Sequence, residues 1–96
     1  MIEIRKTADF SAWLDSLFDL TARAKIQARI KRISEGNAGD SKSVGEKVFE
    51  MKIDFGPGYR VYFTKQGKII IILLIGGDKD SQNKDIKFAQ RLAKNL

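Results

Sequence analysis

The chain has 96 residues, 43% of them hydrophobic, and 18 lysines and arginines against 12 acids give it a formal net charge of +6. Cysteine and histidine are both absent, which excludes disulfide frameworks and thiolate metal sites and removes the commonest general base at neutral pH. The length suits one small domain with a modest core, the charge favours anionic partners, and the longest apolar run, Ile69 to Ile75, is far short of the roughly 20 residues that span a bilayer.

Ile2 to Arg5 alternates as a short strand, and Met1 to Lys6 lacks the apolar core of a signal peptide. A cytoplasmic location without membrane contact is expected. Thr7 is placed to cap a helix in which Phe10, Trp13, Leu14, Leu17 and Phe18 fall at i, i+3, i+4, i+7 and i+8. Asp19-Leu20-Thr21 breaks it, with Thr21 as the next cap. A second helix runs from about Ala22 to Glu35, with Ala22, Ile26, Ile30 and Ile33 as its apolar stripe and Gly36 as its stop. Arg23, Lys25, Arg29, Lys31 and Arg32 fill its remaining surface.

Asn37 to Gly45, rich in Gly, Ser, Asp and Asn, reads as loop. Glu46 to Ile53 alternates, Asp54-Phe55-Gly56-Pro57-Gly58 turns the chain, and Tyr59 to Phe63 alternates again. A hairpin with Ile53 opposite Tyr59 sets Met51 by Val61, Phe49 by Phe63, Lys52 by Arg60 and Glu50 by Tyr62. Both faces are then chemically coherent, which is how register is specified. Lys65-Gln66-Gly67-Lys68 forms a second hairpin turn. Ile69 to Ile75 is apolar on both faces, as a covered central strand would be, and Gly76-Gly77-Asp78 ends it. A last helix starts near Asp80 or Ser81, with Ile86, Ala89, Ala93 and Leu96 as its stripe. The expected fold is α+β with the order βααβββα in one domain, residues 1–96. A small, mostly antiparallel sheet carries a helical hairpin on one face, and the C-terminal helix flanks or covers the other.

The register gathers Glu50, Lys52, Arg60 and Tyr62 into one polar cluster, with Lys79 near its border. RNA cleavage without a metal requires a base for the ribose 2′-OH, a stabiliser of the pentacoordinate phosphate and an acid for the leaving oxygen. Arg60 suits the phosphate, because its fork stays charged and matches phosphate oxygens. Glu50 is a candidate base, and Lys52 shares that role if Arg60 depresses its pKa. Lys79 or Tyr62 serves as acid or charge stabiliser. The competing reading is a solvated strand face with ordinary cross-strand ion pairs. Arg23, Arg29, Lys31 and Arg32 form either a solvated helix face or a phosphate-steering surface that binds RNA. Gly76-Gly77 matches no phosphate-loop pattern, and no acidic motif suggests a metal or other cofactor.

Gly58-Tyr59-Arg60-Val61-Tyr62-Phe63 and Leu73-Leu74-Ile75-Gly76-Gly77-Asp78-Lys79-Asp80-Ser81-Gln82, followed by Asp85-Ile86 and Ala89, resemble the RelE/ParE superfamily of bacterial toxins. The similarity is to the HigB-like addiction module killer group in particular. The resemblance implies a toxin paired with a small antitoxin, usually a helix-turn-helix protein encoded beside it. It also implies, for many relatives, a ribosome-dependent mRNA endoribonuclease (an mRNA interferase) that uses no metal. Arg60 matches the hairpin arginine of such relatives, Lys52 a hairpin lysine if the turn shifts by one residue, and Lys79 a basic group at the end of the last strand. Glu50 stands where some relatives carry a second lysine, and Asp85 near where some carry a catalytic tyrosine. The ParE branch shares the fold and inhibits DNA gyrase without nuclease activity, so that behaviour is the alternative. A remnant that only binds its antitoxin is a third. Ile71 and Leu73, with Ile75 and Val48, are expected on the face of the polar cluster as an apolar patch for the antitoxin.

Overall fold

Ile53 lies opposite Tyr59, Met51 opposite Val61, Lys52 opposite Arg60 and Glu50 opposite Tyr62, the register expected from the alternation. A computed structural model describes residues 2–37 and 39–96. Met1, where the leader reading begins, and Ala38, inside the expected loop, lie outside them. The elements are β1 (Glu3–Lys6), α1 (Ala8–Asp15), α2 (Leu20–Ser34), β2 (Ser41–Ser43), β3 (Val48–Ile53), β4 (Tyr59–Gln66), β5 (Ile70–Gly77) and α3 (Gln82–Lys94). The sheet order is β1-β5-β4-β3-β2, with β1 parallel to β5 and the other pairs antiparallel. This is the expected α+β order with one strand added. β2, Ser41-Lys42-Ser43, sits inside the stretch read as loop and pairs with β3. An edge strand of three polar residues carries no apolar alternation, so nothing in its composition marks it. No helix among the described residues is long and apolar enough to cross a membrane.

Local chemistry sets the helix ends. The Thr7 hydroxyl accepts from the Phe10 N–H at 2.9 Å and donates to the Leu74 carbonyl at 2.6 Å, joining the start of α1 to β5. Thr7→Ala removes both bonds and should cost about 1–2 kcal/mol. At about 4–8 °C per kcal/mol for a domain of this size, the loss is readable as a lower Tm in a thermal melt; an unchanged Tm would refute the assignment. α1 stops at Asp15, before the expected stripe is complete, and Phe18 in the link is fully exposed. Asp19 caps α2 in place of Thr21, its Oδ1 accepting from the Thr21 and Ala22 N–H groups at 3.0 and 3.2 Å. A carboxylate there also meets the positive end of the helix dipole.

Two cores result. Phe10, Leu14, Ile26 and Ile33 from α1 and α2 pack on Met51, Ile53, Val61, Phe63, Ile71 and Leu73. Each such fully buried side chain contributes about 1.5–3 kcal/mol. On the other face α3 brings Ala89, Ile86, Leu92 and Ala93 against Val48, Tyr62, Ile72 and Leu74. Leu96, expected in the α3 stripe, lies past its end and is exposed.

The expectation that Ile71 and Leu73 share a face with Val48 and the polar cluster is corrected. Both are buried under the helical hairpin on the opposite face, so neither forms a surface for a partner. The reason is the β4–β5 turn: Gln66 pairs with Ile70, so the turn is Gly67 to Ile69 where Lys65 to Lys68 was read. An odd shift in register sends every side chain of a strand to the other face. A bulge then restores Ile75. Phe63 pairs with Leu73 but Tyr62 with Ile75, so Leu74 is the extra residue and both Leu74 and Ile75 turn toward α3.

Candidate functional site

At the turn end of the β3–β4 hairpin, the polar side of the sheet closes around Glu50. This side chain is 3% exposed and Arg60 is 7% exposed, so both charges are held away from bulk water and need partners. Glu50 Oε2 accepts from the Tyr62 hydroxyl at 3.1 Å and from the Gln82 amide at 2.8 Å. Arg60 Nε lies 3.7 Å from the same oxygen, and Lys42 Nζ lies 3.9 Å from Oε1. Arg60 Nη1 donates to the Gly58 carbonyl at 2.8 Å, which anchors the guanidinium at the turn. Its Nε is buried and has no hydrogen-bond partner.

A cavity of about 250 Å³ opens beside this pair, lined by Asp40, Ser41, Lys42, Glu50, Lys52 and Arg60. Lys42 is across from Glu50 on β2, and Lys52 across from Arg60 on β3 and β4. Lys79 approaches the same turn: a Cβ placed on Gly58 would lie 3.4 Å from Arg60 Nη1 and 3.6 Å from the Lys79 Cβ. The structure therefore brings Glu50, Lys52, Arg60 and Tyr62 together, with Lys79 bordering them. It also corrects their accessibility. Tyr62 is fully buried and acts on the cavity only through Glu50.

Burial, then the Glu50 charge and its hydrogen bond, then Asp85, push the Tyr62 phenol well above its ordinary value, while Arg60 opposes them. The phenol is a neutral donor throughout the neutral range. A raised folded-state value contributes stability that is fully present below the unfolded value of about 10 and is lost as pH rises toward the folded value. In an alkaline titration Tyr62 should ionise only as the protein unfolds, seen by tyrosinate absorbance against circular dichroism. Tyr62→Phe should remove that part of the alkaline destabilisation. Ionisation of Tyr62 in a fully folded protein would contradict its placement.

The basic residues of α2 are not gathered at this cluster, because α2 packs on the other face of the sheet. Arg23 pairs with Asp15 at 3.5 Å. Arg29 Nη1 donates to the Lys52 carbonyl at 2.7 Å, which ties α2 to the strand beside the cavity. Burial and then Arg32 lower the Arg29 pKa, and Asp40 raises it. Lys31 and Arg32 are exposed.

Sequence reasoning missed Lys42 and Gln82 as parts of the site, and noted Asp85 only through the resemblance. Lys42 enters only through the pairing of β2. Gln82, in the first turn of α3, reaches Glu50 because the helix starts over the polar strand face. Asp85 is 8% exposed and accepts from the Ser81 hydroxyl. It occupies the space beside Gly77, where a Cβ would lie 1.8 Å from its Oδ2. Gly76-Gly77 is therefore a packing device: Gly76 clears the Trp13 ring on one face and Gly77 clears Asp85 on the other.

A five-stranded sheet with a helical hairpin on one face and α3 on the other defines the RelE-like α+β fold. The free-state structure of a double arginine-to-alanine mutant of the E. coli toxin RelE is similar with a TM-score of 0.73, covering 99% of this chain and 97% of that one. At 12% identity the likeness is one of fold. The chain belongs to the same family as an uncharacterized protein of Haemophilus influenzae, 54% identical over 95 residues, which cover 99% of this chain and 96% of that protein. No protein-family model matches the sequence.

Proposed function

We propose that this protein is the toxin of a bacterial type II toxin–antitoxin module, of the HigB-like group. Its activity on this reading is metal-independent, ribosome-dependent cleavage of mRNA, and its cognate antitoxin is a helix-turn-helix protein. The RelE-like fold supports the toxin class. The observation that carries the activity is Arg60: an almost buried guanidinium, anchored by Gly58, with an unpartnered donor, beside a cavity bordered by Lys42 and Lys52.

In this reading Arg60 binds the scissile phosphate and stabilises its added charge in a water-poor setting, where such contacts are strongest. Lys52 and Lys79 hold the flanking strand. Glu50 Oε2 is taken by Tyr62 and Gln82. Oε1, on the Lys42 side, remains to accept the 2′-OH proton as the oxygen attacks phosphorus. The 5′-oxygen leaves with a proton from Lys52 or Lys79. Tyr62 and Gln82 orient the carboxylate.

The test is transcriptome-wide mapping of mRNA 5′ ends after a short pulse of expression. In-frame cuts that disappear in Arg60→Lys are expected. Growth arrest without new ends would overturn the ribonuclease reading and direct attention to supercoiling by DNA gyrase. No arrest would leave an antitoxin-binding fold.

A further inference from the structure

A second concavity, of about 420 Å³, shares no lining residue with the Arg60 cavity. Its walls are Trp13 of α1 and Phe88 of α3, with Ile75 and Gly76 between them and Lys84 and Arg91 at the rim. It lies where β5 loses its neighbour, since β1 pairs with β5 only as far as Leu73. The aromatic rings are half-buried, and their faces are already engaged. Trp13 lies over Gly76 and meets Tyr59 edge-on at 6.4 Å, and Arg91 sits 5.5 Å from the Phe88 centroid. Nucleic-acid bases stack on free ring faces, whereas this groove offers a slot for an aliphatic side chain.

The charges around the slot have one sign. Lys84, Lys87 and Arg91 fall at i, i+3 and i+7 of α3, so they line one side of the helix. All three are exposed, and none forms an ion pair among the described residues. The one acid in the lining, Asp85, is buried and bonded to Ser81. A partner lying here gains by carrying carboxylates, and an unpaired basic rim selects against a basic one.

We infer that the groove between Trp13 and Phe88 docks a short acidic segment of a partner protein, seating an apolar side chain on Ile75 and Gly76 and carboxylates on Lys84, Lys87 and Arg91. The inference rests on the partnered-toxin reading above and moves the partner surface from Ile71 and Leu73 to the outer side of α3.

The experiment is selection from a random peptide display library on the immobilised full chain, followed by affinity measurement of the enriched peptides. The expected binders combine Asp or Glu with a spaced aliphatic residue. They should lose about tenfold or more in affinity on Arg91→Glu, a charge reversal in the rim, and should be indifferent to Lys42→Glu in the other cavity. Arg91→Glu changes an exposed side chain, so it keeps the test valid if Phe88→Ala proves unstable. Binders without apolar residues, or binders lost on Lys42→Glu, would overturn the proposal. So would no enrichment at all, self-association lost on Phe88→Ala, or polyuridylate binding lost on Arg91→Glu. Growth arrest by Arg91→Glu should equal that of wild type. A wild type that causes no arrest counts against the toxin reading and leaves the peptide result standing.

Discussion

On the proposed ribonuclease function, Arg60→Lys should lower mRNA cleavage by about 10²–10³-fold, the usual cost of removing one preorganised donor to a charge that forms in the transition state. Lysine retains the positive charge beside Glu50 but loses the fork, so it cannot hold the Gly58 carbonyl and grip two phosphate oxygens together. The fold should survive, with an unchanged circular dichroism spectrum, because a cation still neutralises the buried carboxylate. Arg60→Ala is a poorer test. It leaves the buried Glu50 charge with Lys42, 3.9 Å away and largely solvated, as its one remaining ion-pair partner among the described residues, and stranding a buried charge commonly costs about 3–5 kcal/mol. In vitro cleavage on programmed ribosomes and denaturant melts separate the two effects. Retention of more than about a tenth of wild-type cleavage in Arg60→Lys would remove Arg60 from the phosphate site, since tenfold is only about 1.4 kcal/mol.

Gly77→Ala should be strongly destabilising. Its Cβ would lie 1.8 Å from Asp85 Oδ2 and 2.8 Å from the Ser81 hydroxyl, and those two groups are bonded to each other at the start of α3. Overpacking of this kind costs about 1–3 kcal/mol and occasionally more, and separating the pair adds about 1 kcal/mol. The displaced helix also carries Gln82, which holds Glu50, so cleavage should fall with stability. Asp85→Ala in the same chain makes room for the new methyl. The double variant should be more stable than the sum of the two single losses, a coupling measured by denaturant melts in a double-mutant cycle. Strictly additive losses would show that the contact is not the cause.

The hairpin was readable because both of its faces constrain register at once. Met51, Ile53, Tyr59, Val61 and Phe63 need the core, while Glu50, Lys52 and Arg60 need one another. The helices were readable from their apolar periodicity, and Thr7 from its place before the first stripe. Failures came where the deciding group was distant in sequence or one residue changed a count. Phe18 continues a helical stripe on paper, but α1 ends before it. The expected side of Ile71 and Leu73 depended on the length of one turn. Tyr62 looked like a surface acid because alternation assigns a face and says nothing of what covers it; α3 covers it completely.

The sequence by itself determined the type of every element but β2, the β3–β4 pairing and the identity of the charged residues, because periodicity, turn residues and side-chain chemistry are local properties. Tertiary structure decided which of those residues share a site. The turn and bulge around β5 set which of its side chains meet α3, and β2 brought Lys42 to Glu50. The closing of α3 over the sheet buried Tyr62 and set Gln82 on Glu50. Such placements are balances of packing, desolvation and pairing between segments far apart in the chain, so they exist only once those segments meet.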